Sequence, residues 1–203
     1  MSPNWDLSDV SRETKDRLES LANLLAKWNP VINLVSRTTV STAWDRHIVD
    51  SAQLYGFGRP EGHWVDLGSG GGFPGLVIAC IAQGQDDPLR VTLVESDQRK
   101  AAFLRTASAE LGLETTIISK RIEQVAPLRA DTLSARALAA LPTLLTYAER
   151  HLSSDGVCVF PKGASWRQEV ELARKDWHFE MQVQQSTTDS AGAILCVKAI
   201  SHV

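Results

Sequence analysis

VDLGSGGGFPG, residues 65–75, decides how the rest of the chain is read. An apolar run ends in an acid, Asp66, and passes at once into a glycine-dense turn that meets Pro74. Glycine lets the backbone take left-handed conformations and lets a ligand approach the main chain closely. Upstream, HWVDLG reads as a buried strand. Downstream, FPGLVIACIAQ reads as a helix with Pro74 in its first turn, where a missing N–H costs nothing. Strand, glycine turn and helix in that order form the place where α/β sheets bind ligands.

The alternation continues outward. LRVTLVES is a strand, and DQRKAAFLRTASAELGL a helix ended by Gly112. TTIISKRI and DTLSARAL are strands, LPTLLTYAERHL a helix, GVCVFPKG a strand and WRQEVELARKDW a helix. FEMQVQQST and AGAILCVKAI close the chain as two strands joined through a turn, hence antiparallel. The pattern predicts an α/β fold: a doubly wound, open, mainly parallel seven-stranded sheet with helices on both faces, over residues 61–203. Residues 1–60 contain no strand and read as a helical N-terminal extension. Leu18, Leu21, Leu25 and Trp28 recur at spacings of three and four, predicting a helix over 9–29. Ser8 or Asp9 is its expected cap, and Asn29-Pro30 its expected end, because the residue before a proline is pushed out of the helical region. A connection from Asn33 to Thr39 leads to a second helix over 41–54. Gly56, Gly58 and Pro60 then mark the boundary.

Composition narrows the classes. A chain of 203 residues buries a core without staples. Its net charge of −3 argues against a surface that binds nucleic acid everywhere, and leaves room for a local basic patch. Cys80, Cys158 and Cys196 make an odd count with no C-x-x-C, which points to a reducing compartment and no structural metal. The first residues are polar and no apolar run approaches the ~20 of a membrane span, so the expected location is the cytoplasm.

Three ligands compete for the glycine turn. A P-loop needs a lysine followed by Ser or Thr after its second glycine, and none is present. A dinucleotide fingerprint counted from Gly68 and Gly70 finds Phe73 at its third position; counted from Gly70, Gly72 and Gly75 it fits, but two residues late. The third reading resembles motif I of the S-adenosylmethionine-dependent methyltransferases. That ligand carries a sulfonium, an amino-acid tail and an adenosine. It needs close backbone approach and carboxylates: Asp66 toward the cationic tail through water or backbone, and Glu95, ending the second strand, toward the ribose hydroxyls.

The target chemistry follows by what is missing. Methylation of an exocyclic amine goes with D/N-P-P-Y/F/W after the fourth strand, where this chain has SARALAAL. Methylation of pyrimidine C5 needs a cysteine nucleophile, and no cysteine here follows a proline or sits in a loop. Guanine N7 has an in-plane lone pair and loses no proton, so positioning is most of the work and no catalytic acid or base is assigned.

WNPVINLVSRT, WDRHIVDSAQL, VDLGSGGGFPG, VESDQRKAAFLR, KRIEQV, SARALA and FPKG, in that order, resemble the GidB/RsmG family over residues from about 20 to 200. The resemblance implies a cytoplasmic, monomeric enzyme that methylates N7 of a guanine in 16S rRNA, free or within the small ribosomal subunit. It implies donor contacts at Gly68, Phe73, Ile122, Glu123 and Arg136, with the Ile122–Glu123 pair holding the adenine; Gly70 and Glu95 join them from the turn itself. Gly71 stands where many relatives have Pro, and Phe73 where many have Leu. Arg136, in an apolar strand, either snorkels or faces the cleft. Arg46, His47, Asp50 and Ser51 share a helix, as an i,i+4 ion pair or as a polar face meeting cofactor and RNA. Lys162 neutralises RNA phosphate or is a solvated turn lysine. Arg37, Lys120 and Arg121 are further candidates for a basic rim. The rival functions are a methyltransferase of a small metabolite, a non-catalytic ribosome-assembly factor and a NAD-dependent oxidoreductase.

Overall fold

The computed structural model describes residues 7–36, 42–59 and 61–203; Arg37, Thr39 and Pro60 lie outside them. The first helix, α1 (Arg12–Ile32), is capped by Ser11, whose Oγ accepts from Thr14 N–H at 3.2 Å, not by Ser8 or Asp9. It also runs through Pro30. A proline removes one helical hydrogen bond, and the last turn is recovered by other means. Asn33 takes a left-handed φ of 51° and donates to Asn29 O, while Asn29 Oδ1 accepts from Val35 N–H at 2.8 Å. Burial of Ile32 and Leu34 holds that end against the core.

The second predicted helix is also different. Trp44–Val49 is π-helical and runs into α2 (Asp50–Ala52) and a 3-10 turn, Tyr55–Phe57. The backbone N–H of Asp50 reaches back to Asp45 O. Such wide turns cluster at functional sites, and this one presents Arg46, His47 and Asp50 to the same neighbour. Gly58 is glycine for packing reasons: a Cβ there would run into the Trp64 ring.

The sheet contains β1 (Gly62–Leu67), β2 (Leu89–Val94), β3 (Thr115–Ile118), β4 (Ala130–Ser134), β5 (Leu152–Lys162), β6 (Trp177–Gln185) and β7 (Ala193–His202). Their order is β3-β2-β1-β4-β5-β7-β6. β1 to β5 pair in parallel, and β7 pairs antiparallel with both β5 and β6, so the sheet is mixed. The remaining helices are α3 (Gly75–Gly84), α4 (Gln98–Glu110), α5 (Leu141–His151) and α6 (Trp166–Ala173). Pro74 is the N-cap of α3, one position before its first turn. Two predicted strands are shorter than their sequence patterns. β3 stops at Ile118 and β4 at Ser134, which leaves Ile122 and Arg136 in the connections that follow.

Two apolar clusters sandwich the sheet. One joins Leu18, Leu21 and Leu25 of α1 to Trp64, Ile78 and Phe103; the other joins Val65, Leu67 and Leu133 to Leu145 and Phe160. Alternation along β1 places Trp64 in the first and Val65 in the second. The strand order reverses between β1 and β4, the switch point at which such sheets bind ligands, and the glycine turn lies there.

Asp66 turns its carboxylate into the protein. It is fully buried on the α1 side of β1. Its Oδ1 accepts from Ser134 Oγ at 2.8 Å and its Oδ2 from Gly75 N–H at 3.3 Å, while Ser134 Oγ accepts from Trp64 Nε1 at 2.9 Å. Burial raises its pKa from 3.8 to about 6, against the hydrogen bonds that lower it. The folded state therefore binds a proton that the unfolded state releases between about pH 4 and 6, and stability is lost as pH rises through that window. The loss is roughly 3 kcal/mol. Asp66→Asn removes the titration, so denaturant melts should show a smaller fall in stability from pH 4 to pH 7 than in the parent. Equal falls would show that Asp66 does not carry this proton.

Candidate active site

The turn after β1 hooks onto the end of β2. Gly68 N–H and Ser69 N–H both donate to Val94 O, at 2.8 and 3.1 Å. Gly68, Gly70 and Gly72 have φ of 67°, 53° and 88°, a region that L side chains resist. They do different work. A Cβ on Gly72 would meet Leu76, and one on Gly68 would meet Leu138, so both are packed. A Cβ on Gly70 would find nothing nearer than Gly68 O at 3.8 Å. Gly70 thus presents an open backbone face.

Glu95 stands beside that face, 8% exposed. Its Oε2 accepts from Gly70 N–H and its Oε1 from Asp97 N–H, both at 2.8 Å. Each oxygen keeps a further lone pair. An open main-chain face next to a fixed carboxylate fits a ligand with a flat nucleoside and a ribose diol. Ile122 and Glu123 lie in the 3-10 turn Ile122–Gln124 after β3, Ile122 buried and Glu123 exposed.

Arg136 lies two residues beyond β4, and Ala137 after it takes a left-handed φ of 51°. Its Nη1 donates to Arg46 O at 3.1 Å and to Asp50 Oδ2 at 3.2 Å, and its Nη2 lies 3.1 Å from His47 Nδ1. Because a guanidinium only donates, His47 Nδ1 is the acceptor and the imidazole proton sits on Nε2. His47 stacks on Phe73 with ring centroids 5.1 Å apart, and Arg136 lies 5.2 Å from the same ring. Burial, reinforced by the Arg136 charge, lowers His47 to about 4, so the ring is neutral at pH 7. Burial also lowers the Arg136 pKa, and Asp50 opposes it. Asp50 Oδ1 accepts from Thr188 Oγ1 at 2.6 Å and from Gln53 Nε2 at 3.0 Å, while Gln53 Oε1 accepts from Thr187 N–H at 3.0 Å. The N-terminal segment is thereby tied to the β6–β7 hairpin. The Phe73 side chain, 3% exposed, is the floor beneath these groups.

A cleft of about 560 Å³ opens over this hub, lined by Arg46, His47, Asp50, Arg136, Leu138 and Lys162 among others. Arg46 is exposed at its rim, whereas His47 is buried. Lys162 is neither solvated nor free: Nζ pairs with Glu169 Oε2 at 2.6 Å and donates to Ala139 O at 3.0 Å. Glu169 Oε2 also accepts from Leu141 N–H at 2.8 Å. Gly68, Gly70, Glu95, Ile122 and Glu123 do not line the cleft. Leu138 touches both regions, reaching over Gly68 from the cleft wall. Sequence reasoning missed Leu138, Gln53 and Thr188; SARALAAL and STTDSAG signal only an apolar run and a turn. Among the described residues no cluster of three or more His, Cys, Asp or Glu is placed to hold a metal ion.

Residues 14–195 match the GidB family, described as rRNA small subunit methyltransferase G. A Ribosomal RNA small subunit methyltransferase G from Cereibacter sphaeroides is 51% identical over 196 residues, 96% of this chain and 94% of its own. One of the same name from a Ruegeria species is 49% identical over 195 residues, 96% and 95% of the two chains. Among solved structures, a TehB-like SAM-dependent methyltransferase from Corynebacterium glutamicum gives a TM-score of 0.60 at 15% identity, over 89% of this chain and 98% of that one. M. jannaschii TYW2 in complex with AdoMet gives 0.56 at 11%, over 83% and 78%. At those identities the solved structures speak for the fold alone, which is that of the Rossmann-like methyltransferases. By sequence over nearly its whole length, the chain belongs to the GidB family, rRNA small subunit methyltransferase G.

Proposed function

We propose that the protein transfers a methyl group from S-adenosylmethionine to N7 of a guanine in 16S rRNA, free or within the small subunit, without a general base. The observation that carries this reading is the adjacency of two sites: the open Gly70 face beside Glu95 and, across Leu138, a cleft large enough for a nucleoside. Gly68 and Gly70 would hold the donor's backbone-hugging part, Glu95 its ribose, and Ile122 with Glu123 its adenine. Arg136, with three of its five N–H groups committed to protein acceptors, and Phe73 beneath it would be the donor contacts nearest the target cleft. Bound S-adenosylmethionine supplies an electrophilic methyl group, and the residues of this chain supply placement.

Several observations support the absence of a base. The His47 lone pair at Nδ1 is taken by Arg136, and the Asp50 carboxylate is held by Arg136, Thr188 and Gln53. Glu123 Oε1 accepts from Tyr147. Cys80 and Cys158 are buried, and burial pushes the Cys80 thiol up to about 12. For RNA, Arg46 at the rim is the exposed cation, while Lys162 has its charge matched and secures Ala139. The enzyme is read as a cytoplasmic monomer in which residues 61–203 form the methyltransferase unit and residues 1–60 a helical extension that brings Arg46 and His47 to the cleft.

With small-subunit RNA or subunits and a labelled donor, the label should appear as 7-methylguanosine, detected as one borohydride- and aniline-sensitive position. Label on an exocyclic amine or a ring carbon, or none in either substrate, would overturn the reading. Gly70→Ala should fold, since its Cβ has space, at a backbone cost of about 1–2 kcal/mol. Donor affinity by calorimetry should fall by about tenfold or more, equivalent to roughly 1.4 kcal/mol; unchanged affinity would move the donor elsewhere. The single-turnover rate should stay flat from about pH 7 to 9, because His47 titrates near 4 and carboxylates are already ionised. A general base is worth roughly 10²–10⁴-fold. A loss of that size in Asp50→Asn, with donor and RNA affinity intact, would restore one.

A further inference from the structure

The turn assigned to the adenine is held from behind. It is closed by Gln124 N–H to Arg121 O at 3.0 Å and Val125 N–H to Ile122 O at 3.1 Å. Three side chains of α5 reach it. Tyr147 donates its hydroxyl to Glu123 Oε1 at 2.9 Å. Arg150 sends Nε and Nη2 to Val125 O at 3.2 and 2.9 Å. His151 Nε2 lies 3.2 Å from Ile122 O. Residues 147, 150 and 151 stand at i, i+3 and i+4, so one face of the helix serves one short turn.

His151 supplies an independent sign. It is fully buried, and its Nδ1 has no hydrogen-bond partner. A carbonyl only accepts, so the proton is on Nε2 and Nδ1 is a bare lone pair. An unpaired buried polar atom costs stability. Ile122 O already has Val125 N–H, so an apolar residue at 151 would leave no orphaned carbonyl. Packing alone does not account for an imidazole here; its bond to the turn does.

Resting on the reading that Ile122 and Glu123 hold the adenine, we propose that α5 is a clamp in which Tyr147, Arg150 and His151 are positioning residues that set the affinity for the methyl donor without touching it. A three-residue turn with two backbone bonds would otherwise be ordered at the moment of binding, and that ordering subtracts from affinity. The clamp orders it beforehand. Glu123 is aimed as well as anchored: its own backbone N–H, with the Tyr147 hydroxyl, holds the carboxyl below its usual range, so it presents an anion. The clamp acts on the adenosine part of the donor and on nothing across Leu138.

The test is calorimetry on the full chain with S-adenosylmethionine and with 5′-methylthioadenosine, which lacks the amino-acid tail. His151→Leu should weaken both by about fivefold or more, with a thermal midpoint equal to or above the parent's. Its kcat at saturating donor and KM for RNA should stay within about twofold. His151→Gln, whose amide N–H reaches the place of Nε2, should recover most of the affinity. Parent-like affinity in His151→Leu would overturn the clamp. So would a lowered thermal midpoint with donor affinity, RNA affinity and kcat all reduced together, because that marks a structural role. If His151→Leu does not fold, Tyr147→Phe decides, since it removes one hydroxyl: weaker methylthioadenosine binding supports the clamp and parent-like binding overturns it. Glu123→Ala separates the two possible failures. If it weakens methylthioadenosine while the α5 variants do not, the adenine site stands and the clamp falls. If it too has no effect, the adenine site is misplaced and the clamp falls with it.

Discussion

A carboxylate without solvent, Asp66, fixes the geometry on which the site depends. It stands at the sheet's switch point and joins three elements there. Ser134 donates to it from β4, Gly75 donates to it from the start of α3, and Ser69 Oγ donates to its backbone carbonyl from the glycine turn. Burying a charge is costly unless it is hydrogen-bonded, and these donors offset part of the penalty. The return is a turn whose two ends are both fixed, so that Gly70 holds a left-handed φ with its face open. Ionised above about pH 6, the carboxylate also favours a cation on the outer side of the turn, although it touches none.

The same economy governs the cleft. The chain carries 21 basic and 24 acidic residues, and the cations at the cleft are spent mostly on structure. Arg136 with Asp50 joins the π-helical turn to the connection after β4, and Lys162 with Glu169 holds the other end of that connection through Ala139 O and Leu141 N–H. Both pairs are largely shielded, so removing one partner costs more than the pair contributes. Between the two anchors lies Leu138, which reaches over Gly68 from the cleft wall. Position, not net charge, is what these ion pairs provide.

Much of this was legible in the sequence. Alternating strand and helix patterns gave the layers, and an acid at the end of the second strand gave Glu95. What failed to read did so for physical reasons. Pro30 should end a helix, but Asn29 and Asn33 recover the hydrogen bonds that local reasoning counts as lost. The π-helical segment has an ordinary helical composition, and its partner Arg136 lies 90 residues away from Arg46 in the sequence. Lys162 reads as a phosphate-binding or solvated turn lysine because its partner Glu169 lies on the far side of a turn and at the start of another helix. Pattern alone also does not show that the Asp66 carboxylate is aimed at Ser134, 68 residues away. Long-range polar partners are what sequence periodicity does not encode.

The charge matching also bears on the chemistry. In the proposed reaction the methyl group leaves a sulfonium and arrives at a neutral guanine, which becomes cationic. One positive charge moves and none is created. A site built to stabilise new charge, as an oxyanion hole does, would have nothing to act on. A field that strongly favoured anions or cations would hinder one side of the transfer as much as it helped the other. Paired ions and a neutral imidazole suit such a reaction, because they fix the walls of the cleft without biasing the charge that passes between the reactants. The arrangement around Arg136 is therefore best understood as a frame: three of its N–H groups hold the π-helical turn against the connection after β4, and in the proposed reaction the reacting atoms are left to meet directly.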